Sequence, residues 1–250
     1  MRLLLLIAGV QHAVQAAAPG DTPRGDWSSI FDQVREGISV PWTTKARKFF
    51  LSGTGVTLLL VALEDNVSDR IQAEAVEDKP LGRLSPIGDV SGQLVPNALY
   101  VAGMYLHSRI SGDATSLERA KLMFEASSYA VTVSGVLKYT IREPRPNNSR
   151  DRTSFPSGHA TSAFAFASVV GAEHAWTWGV PAYLLAGLVA FSRINDNRHE
   201  LHDVVAGAVL GASYGLGFHY LARPAAEAQH FYILPLEDHH GFATSWRMEF

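Results

Sequence analysis

Six apolar runs of helical length, separated by Gly, Pro and charge, limit what this chain can fold into. They are Phe49 to Leu63, Leu94 to Ile110, a run that starts after Ser116 and reaches about Lys138, about Ala160 to Ala172, Trp176 to Ser192, and His202 to about Leu221. Two-residue alternation, the mark of a half-buried strand, is missing until the end of the chain. The expected fold class is therefore all-α, an antiparallel helical bundle of about six core helices. Gly207, Gly211, Gly215 and Gly217 in the last helix leave room for a neighbour to approach closely. Phe231 to Leu236 and Phe242 to Phe250 flank Asp238-His239-His240-Gly241 and read as a small C-terminal β-hairpin.

The flanks of these runs divide the chain. Met1-Arg2, the short apolar stretch Leu3 to Val10 and the small residues up to Ala18 read as a secretory signal peptide over residues 1–18. Val14-Gln15-Ala16 and Ala16-Ala17-Ala18 both fit a cleavage site, and the cut after Ala16 is preferred because the other leaves Pro19 first. Residues 19–48 read as a linker followed by an amphipathic surface helix from Asp26 to Val40, ended by Pro41. Glu64 to Asp78 reads as a polar helix, and Lys79 to Gly92, with its prolines and glycines, as a loop. The central domain spans 49–223, and 224–250 is a tail.

Composition narrows the partners. A net charge of −3 gives no broad basic field, so no nucleic-acid partner is expected. The absence of cysteine excludes disulfides, thiolate catalysis and zinc–thiolate sites. Hydrophobic content of 47% with a mean hydropathy of +0.04 is low for a bundle of long membrane spans and high for a very polar enzyme. Charge-free runs such as Phe49 to Leu63 and Ala126 to Leu137 are shorter than the roughly 20 residues a span requires. The expectation is an exported protein of the periplasm or cell envelope, soluble or held at a membrane surface, whose helices do not all span.

Polar chemistry gathers at the helix ends. Ser192 to Asp203 packs two arginines, two histidines and three acids between two apolar segments. His199 and Asp203 are four apart, so on a helix the carboxylate can hold one ring nitrogen and leave the other free. The same stretch could simply cap two helices. His199, His202 and Asp203 could also bind a metal, although His-Glu-Leu-His-Asp misses the zinc spelling His-Glu-x-x-His. Lys138 with Arg145-Pro146 and Pro156-Ser157-Gly158-His159 form two further clusters, and an antiparallel bundle brings all three to one face. Lys138, Arg145 and Arg193 are cations suited to phosphate, and the Ser157 and Gly158 amides open a helix where an anion is favoured. His159 and His199 are candidate acid–base or nucleophilic groups. Such a set needs no metal and no cofactor to stabilise phosphoryl charge.

Lys138-x6-Arg145-Pro146, Pro156-Ser157-Gly158-His159 and Ser192-Arg193-x5-His199-x3-Asp203 resemble, at every signature position, the three motifs of the type 2 phosphatidic acid phosphatase and vanadium haloperoxidase superfamily. The resemblance covers about Lys138 to Asp203 directly and leaves the tail after about Arg223 uncovered. It implies a phosphatase domain over 49–223 and a phosphohistidine mechanism. His199 would be the nucleophile, oriented by Asp203, and His159 would protonate the leaving oxygen. Lys138, Arg145, Ser157, Gly158 and Arg193 would hold the phosphate. The implied substrate is a phosphomonoester or diphosphate of an envelope lipid, such as phosphatidate, phosphatidylglycerophosphate, a polyprenyl diphosphate or lipid A. The alternatives, in order, are a non-specific periplasmic acid phosphatase acting on small phosphate esters, a vanadate-dependent haloperoxidase, and a non-catalytic phospholipid-binding module.

Overall fold

Side-chain caps and tight turns set most of the helix boundaries. The computed structural model describes residues 27–63, 69–147, 150–223, 231–235 and 242–246, and the leader expected at 1–18 lies outside them. Among the described residues there are nine helices. They are α1 (Trp27–Thr43), α2 (Arg47–Ala62), α3 (Asp69–Asp78), α4 (Ser85–Ser91), α5 (Val95–Ser111), α6 (Ala114–Ile141), α7 (Gly158–Glu173), α8 (Trp176–Asn195) and α9 (Leu201–Ala222). Strands β1 (Phe231–Pro235) and β2 (Phe242–Trp246) pair antiparallel, with Ile233 opposite Thr244, so the expected hairpin forms. The all-α class holds.

Three boundaries differ from the sequence reading. Helix α6 starts at Ala114, ahead of Ser116, because the Asp113 carboxylate accepts from the Thr115 and Ser116 amides at 3.0 and 3.1 Å. Pro41 does not end α1. It lies inside the last turn of that helix, and Val40 beside it is fully buried. The helix is therefore only partly a surface element: Val40 joins the main core, and the Tyr129 ring packs against Gly37.

The segment 79–92 is not a simple loop. It holds a short 3-10 turn, Gly82–Leu84, and then α4. Pro86 falls in the first turn of α4, where a missing N–H is harmless. Gly88 lets that helix lie against the Ser192 side chain. Leu81 N–H donates to Asn195 Oδ1 at 3.2 Å and the Ser85 hydroxyl to Asp196 at 2.6 Å, so the C-terminal end of α8 pins the segment in place.

Helix α9 is central and packs against α7, α6, α2 and α1. Its tightest neighbour is α7. A Cβ at Gly207 would strike the Ser157 carbonyl, one at Gly211 the Thr161 carbonyl, and one at Gly215 would come 2.7 Å from Ser168 Cβ. Small residues of α7, among them Ala160, Ala163 and Ala165, face this contact or the core beside it and are at most 5% exposed. Because α8 returns between them in sequence, α7 and α9 run in the same direction. Their N-termini stand together at one pole of the bundle, and the Ser157 N–H donates to the Asp203 carbonyl at 2.9 Å.

The opposite pole is closed by one buried acid. Glu173, at the end of α7, accepts from Arg223 Nε and an Arg223 terminal nitrogen at 2.9 and 2.8 Å and meets His219 Nδ1 at 2.7 Å. Arg119 donates to its backbone carbonyl at 2.9 Å. Burial opposes ionisation of this carboxyl, but the hydrogen bonds from His219 and Arg223 outweigh it and hold the group at about 2. Glu173→Ala is expected to lower stability at neutral pH by about 2–3 kcal/mol, the low end for a broken buried pair, since its arginines are 27% and 32% exposed. The folded pKa lies below the ordinary 4.5, so the contribution is complete above that pH and is lost as pH falls towards 2. Denaturant unfolding of the two proteins at a series of pH values checks both the size and the sign.

Candidate active site

The pole where α7 and α9 begin carries all three polar clusters. A cavity of about 240 Å³ opens there, lined by Asp89, Lys138, Arg145, Gly158, His159, Arg193, Arg198 and His199. Six of the eight residues singled out by sequence thus face one cavity or line its wall. Asp203 stands directly behind His199, and Ser157 is turned away.

His199 sits in the turn between α8 and α9 and is 3% exposed. Its Nδ1 lies 3.4 Å from Asp203 Oδ2 and 3.4 Å from the Ser154 hydroxyl. Asp203 is the third residue of α9, and its carboxylate accepts from the Glu200 N–H at 3.0 Å, completing a capping box. The same oxygen, Oδ2, accepts from the Ser154 hydroxyl at 2.5 Å. These donors fix the carboxylate and aim it at His199. Burial would raise the Asp203 carboxyl, but the neighbouring His199, Ser154 and His202 outweigh it and keep it ionised. Burial pushes His199 itself down, more than Asp203 pushes it up, so the imidazole is neutral. A neutral ring with Nδ1 committed to a carboxylate has a basic Nε2.

His159 is the second residue of α7, across the cavity. Its Nε2 lies 3.3 Å from Asp89 Oδ1. Burial and the nearby Arg193 guanidinium lower its pKa to about 4, against the opposing pull of Asp89. Arg193, at the end of α8, is 4% exposed and is held by Asp89 at 2.5 Å, Asp196 at 3.5 Å and the Ser192 hydroxyl at 3.2 Å. Arg145 is placed by Asp151 at 2.8 Å and by the Arg198 carbonyl at 3.4 Å.

Two expected phosphate-holding groups are otherwise engaged. The Ser157 amide is bonded to the Asp203 carbonyl, and its hydroxyl caps α7 by accepting from the Ala160 N–H at 3.4 Å. Ser157 therefore joins α7 to α9, and Gly158 next to it lines the cavity. Lys138 directs Nζ at the carbonyls of Thr153, Ser154 and Pro156, at 2.8, 3.1 and 2.5 Å. An ammonium has three protons, so all are committed to shaping the loop before α7. Burial, with Arg145 near, lowers this lysine to about 8.

Sequence reasoning missed Asp89, Ser154 and the place of Arg198 in the cavity wall. Arg198 was visible in the Ser192 to Asp203 cluster, but nothing marked which way it faces. Asp89 lies more than a hundred residues before Arg193, in a segment read as a loop, and carries no signal of its own. Among the described residues, one acid–histidine trio has its atoms within 4.8 Å of one another, the spacing a metal requires: Glu143, His202 and Asp203. It differs from the trio spelled by sequence, because His199 turns to the cavity and Glu143 comes in from the loop after α6. Its members are engaged with each other, His202 Nε2 with Glu143 Oε1 at 2.9 Å.

Residues 122–226 match the sequence model of the PAP2 superfamily. Over 86 residues it is 37% identical to the lipid A 1-phosphatase of Porphyromonas gingivalis, a match that covers 32% of this chain and 19% of that protein. The chain thus spans about a fifth of the length of that relative. Its structure is similar to that of a transmembrane PAP2-type phosphatidylglycerolphosphate phosphatase from Bacillus subtilis, with a TM-score of 0.56 over 71% of this chain and 98% of the other. At 21% identity that likeness is one of fold.

Asp89 competes with any anion for Arg193. Asp89→Asn is expected to bind inorganic phosphate more tightly, by about fivefold, or about 1 kcal/mol. Calorimetric titration of both proteins with phosphate checks it.

Proposed function

We propose that this protein is a phosphatase that removes phosphate from a phosphomonoester or diphosphate of an envelope lipid, through a phosphohistidine at His199. What carries the reading is the pairing of His199 with Asp203 inside a cavity walled by arginines. A module that only bound phosphate would need the cations but not a buried, carboxylate-held imidazole beside them. Arg193 and Arg145, with the α7 N-terminus at Gly158, would hold the phosphoryl oxygens. His199 Nε2 attacks phosphorus, and the bond to the leaving oxygen breaks. His159 gives that oxygen a proton and becomes neutral. Water then attacks phosphorus as His159 takes its proton, the phosphorus–nitrogen bond breaks, and phosphate leaves with His199 restored.

The pKa of His159 bears on this scheme. At about 4 in the free protein, it is neutral near pH 7. A phosphate dianion in the cavity neutralises Arg193 and favours the imidazolium, so the substrate itself charges the acid.

The lipid substrate is supported by the outer surface. Leu58 of α2, Leu99 and Ile110 of α5, and Trp176 and Leu184 of α8 are 65%, 68%, 78%, 70% and 71% exposed. Among the described residues, α8 and α9 are long and apolar enough to cross a membrane by length and composition, although α9 is mostly buried in the bundle. Apolar side chains so placed favour contact with lipid. The relatives described above are named for lipid phosphate substrates. We assign the phosphatase domain to 49–223, with α1 packed on it, and place the protein in the cell envelope with its cavity on the periplasmic side. A release assay comparing lipid A, phosphatidylglycerophosphate, phosphatidate and polyprenyl diphosphate with an aryl phosphate tests the substrate class. A clear preference for the aryl ester would leave a non-specific acid phosphatase.

His199→Ala is expected to lower kcat by roughly three orders of magnitude or more, since nucleophile and orienting groups act as a unit. Acid-labile phosphate should be trapped on the wild type by rapid quench and be absent from the variant. His159→Ala is expected to slow alkyl phosphates, whose leaving groups require a proton, far more than activated aryl phosphates. In the wild type the ratio of alkyl to aryl kcat/KM should rise as pH falls from 7 towards 4, because more of the free protein then carries a protonated His159. Parallel pH–rate profiles on the two substrates would measure this ratio.

A further inference from the structure

Behind the His199–Asp203 pair lies a buried ionisable group that the mechanism above leaves unused. His202 is 2% exposed and immediately precedes Asp203 in the first turn of α9. Its Nε2 lies 2.9 Å from Glu143 Oε1 and 3.7 Å from Asp203 Oδ1, and its Nδ1 lies 3.6 Å from Glu200 Oε2. The Phe155 ring stacks over it, with centroids 6.1 Å apart. Glu143 also supports the site through its backbone, because its carbonyl accepts from the N–H of Ser154, the residue whose hydroxyl holds Asp203 Oδ2.

Asp203 is fully buried and must be ionised to accept from His199. A second carboxyl, Glu143, stands within reach of it. Two acids so close, one fully buried and the other about a quarter exposed, tend to share a proton unless a cation lies between them. If they shared one, Asp203 would give up part of the charge that makes His199 basic.

We propose that His202, held by Glu143, is a positioning residue for Asp203: it is the counter-ion that keeps the Asp203 carboxylate ionised and directed at His199. The inference rests on the reading of His199 as nucleophile. Burial works against a charge on His202, yet the Glu143 hydrogen bond and the carboxylates of Asp203, Glu143 and Glu200 outweigh it and raise the group to about 9. His202 is not among the residues that line the cavity, so it acts on the rate and not on binding.

The test compares His202→Gln, Glu143→Gln and the double variant with the wild type in the full chain. His202→Gln should lower kcat at least tenfold, with KM and the inhibition constant for inorganic phosphate within twofold of wild type. Removing the second acid should relieve the need for a cation, so the double variant should recover most of the lost kcat. A structural role alone would leave the double variant as poor as the single one, and that result would overturn the proposal, as would a folded His202→Gln protein with wild-type kcat. Should His202→Gln not fold, the ¹⁵N shifts of the His202 ring in the wild type at pH 8 decide: both nitrogens protonated supports the proposal, and a neutral tautomer overturns it. Zinc bound stoichiometrically to the purified wild type and lost in Glu143→Gln would also overturn it, since the trio would then be a metal site. His199→Ala is the control: if it stays active the nucleophile reading fails, whereas an inactive His199→Ala beside an unaffected His202→Gln removes only the positioning role.

Discussion

Glycines along one side of α9 let α7 come so near that no side chain fits between the two backbones at Gly207 and Gly211. This approach sets the register of the two helices, and the register sets the site. It brings the first turn of α7, with Gly158 and His159, level with the first turn of α9, with Asp203. The Ser157 amide reads that register directly by bonding to the Asp203 carbonyl. Because both helices point away from the cavity, their dipoles add there and favour an anion. A bundle of strictly alternating neighbours would place one N-terminus and one C-terminus at each end and forgo that sum.

The charged groups are divided between the two poles according to different needs. At the Glu173 end, the carboxylate meets His219 and arginines from α6 and the end of α9, and the ions satisfy one another. At the cavity end, burial is used to bias groups against their usual charge. His199 and His159 are both pushed down, and Lys138 is lowered although it keeps three carbonyl partners. The cost of desolvating these groups is borne by a fold whose packing is concentrated in the middle, around Tyr129, Tyr214, Met123 and Val169.

Much of this was legible in the sequence. Periodicity found the core helices to within a few residues, and the motif spacing brought Lys138, Arg145, His159, Arg193 and His199 to one pole. What sequence missed has physical causes. Pro86 and Gly88 read as loop residues, yet a proline is harmless in a first turn and a glycine was needed for contact with Ser192, so α4 and its Asp89 went unseen. Pro41 read as a stop but falls inside the last turn, where the helix loses one backbone bond, to the carbonyl four residues back, and ends two residues later at Thr43. Ser157 has the right type to donate to phosphate, and only the tertiary contact with α9 shows its amide already taken. Glu143 and His202 are separated by 59 positions, and no periodicity relates a loop acid to the first turn of a later helix.

Asp89 ties Arg193 at the cavity wall, so its carboxylate holds the guanidinium that an anion would need. It behaves as a tethered competitor whose local concentration is fixed by the fold and never diluted. Binding of an anion is then an exchange of partners rather than the filling of a bare cationic hole. The exchange runs equally well in reverse. On the proposed mechanism, inorganic phosphate freed from His199 would find a carboxylate waiting to reclaim the guanidinium, and the site would be biased towards shedding its product instead of storing it.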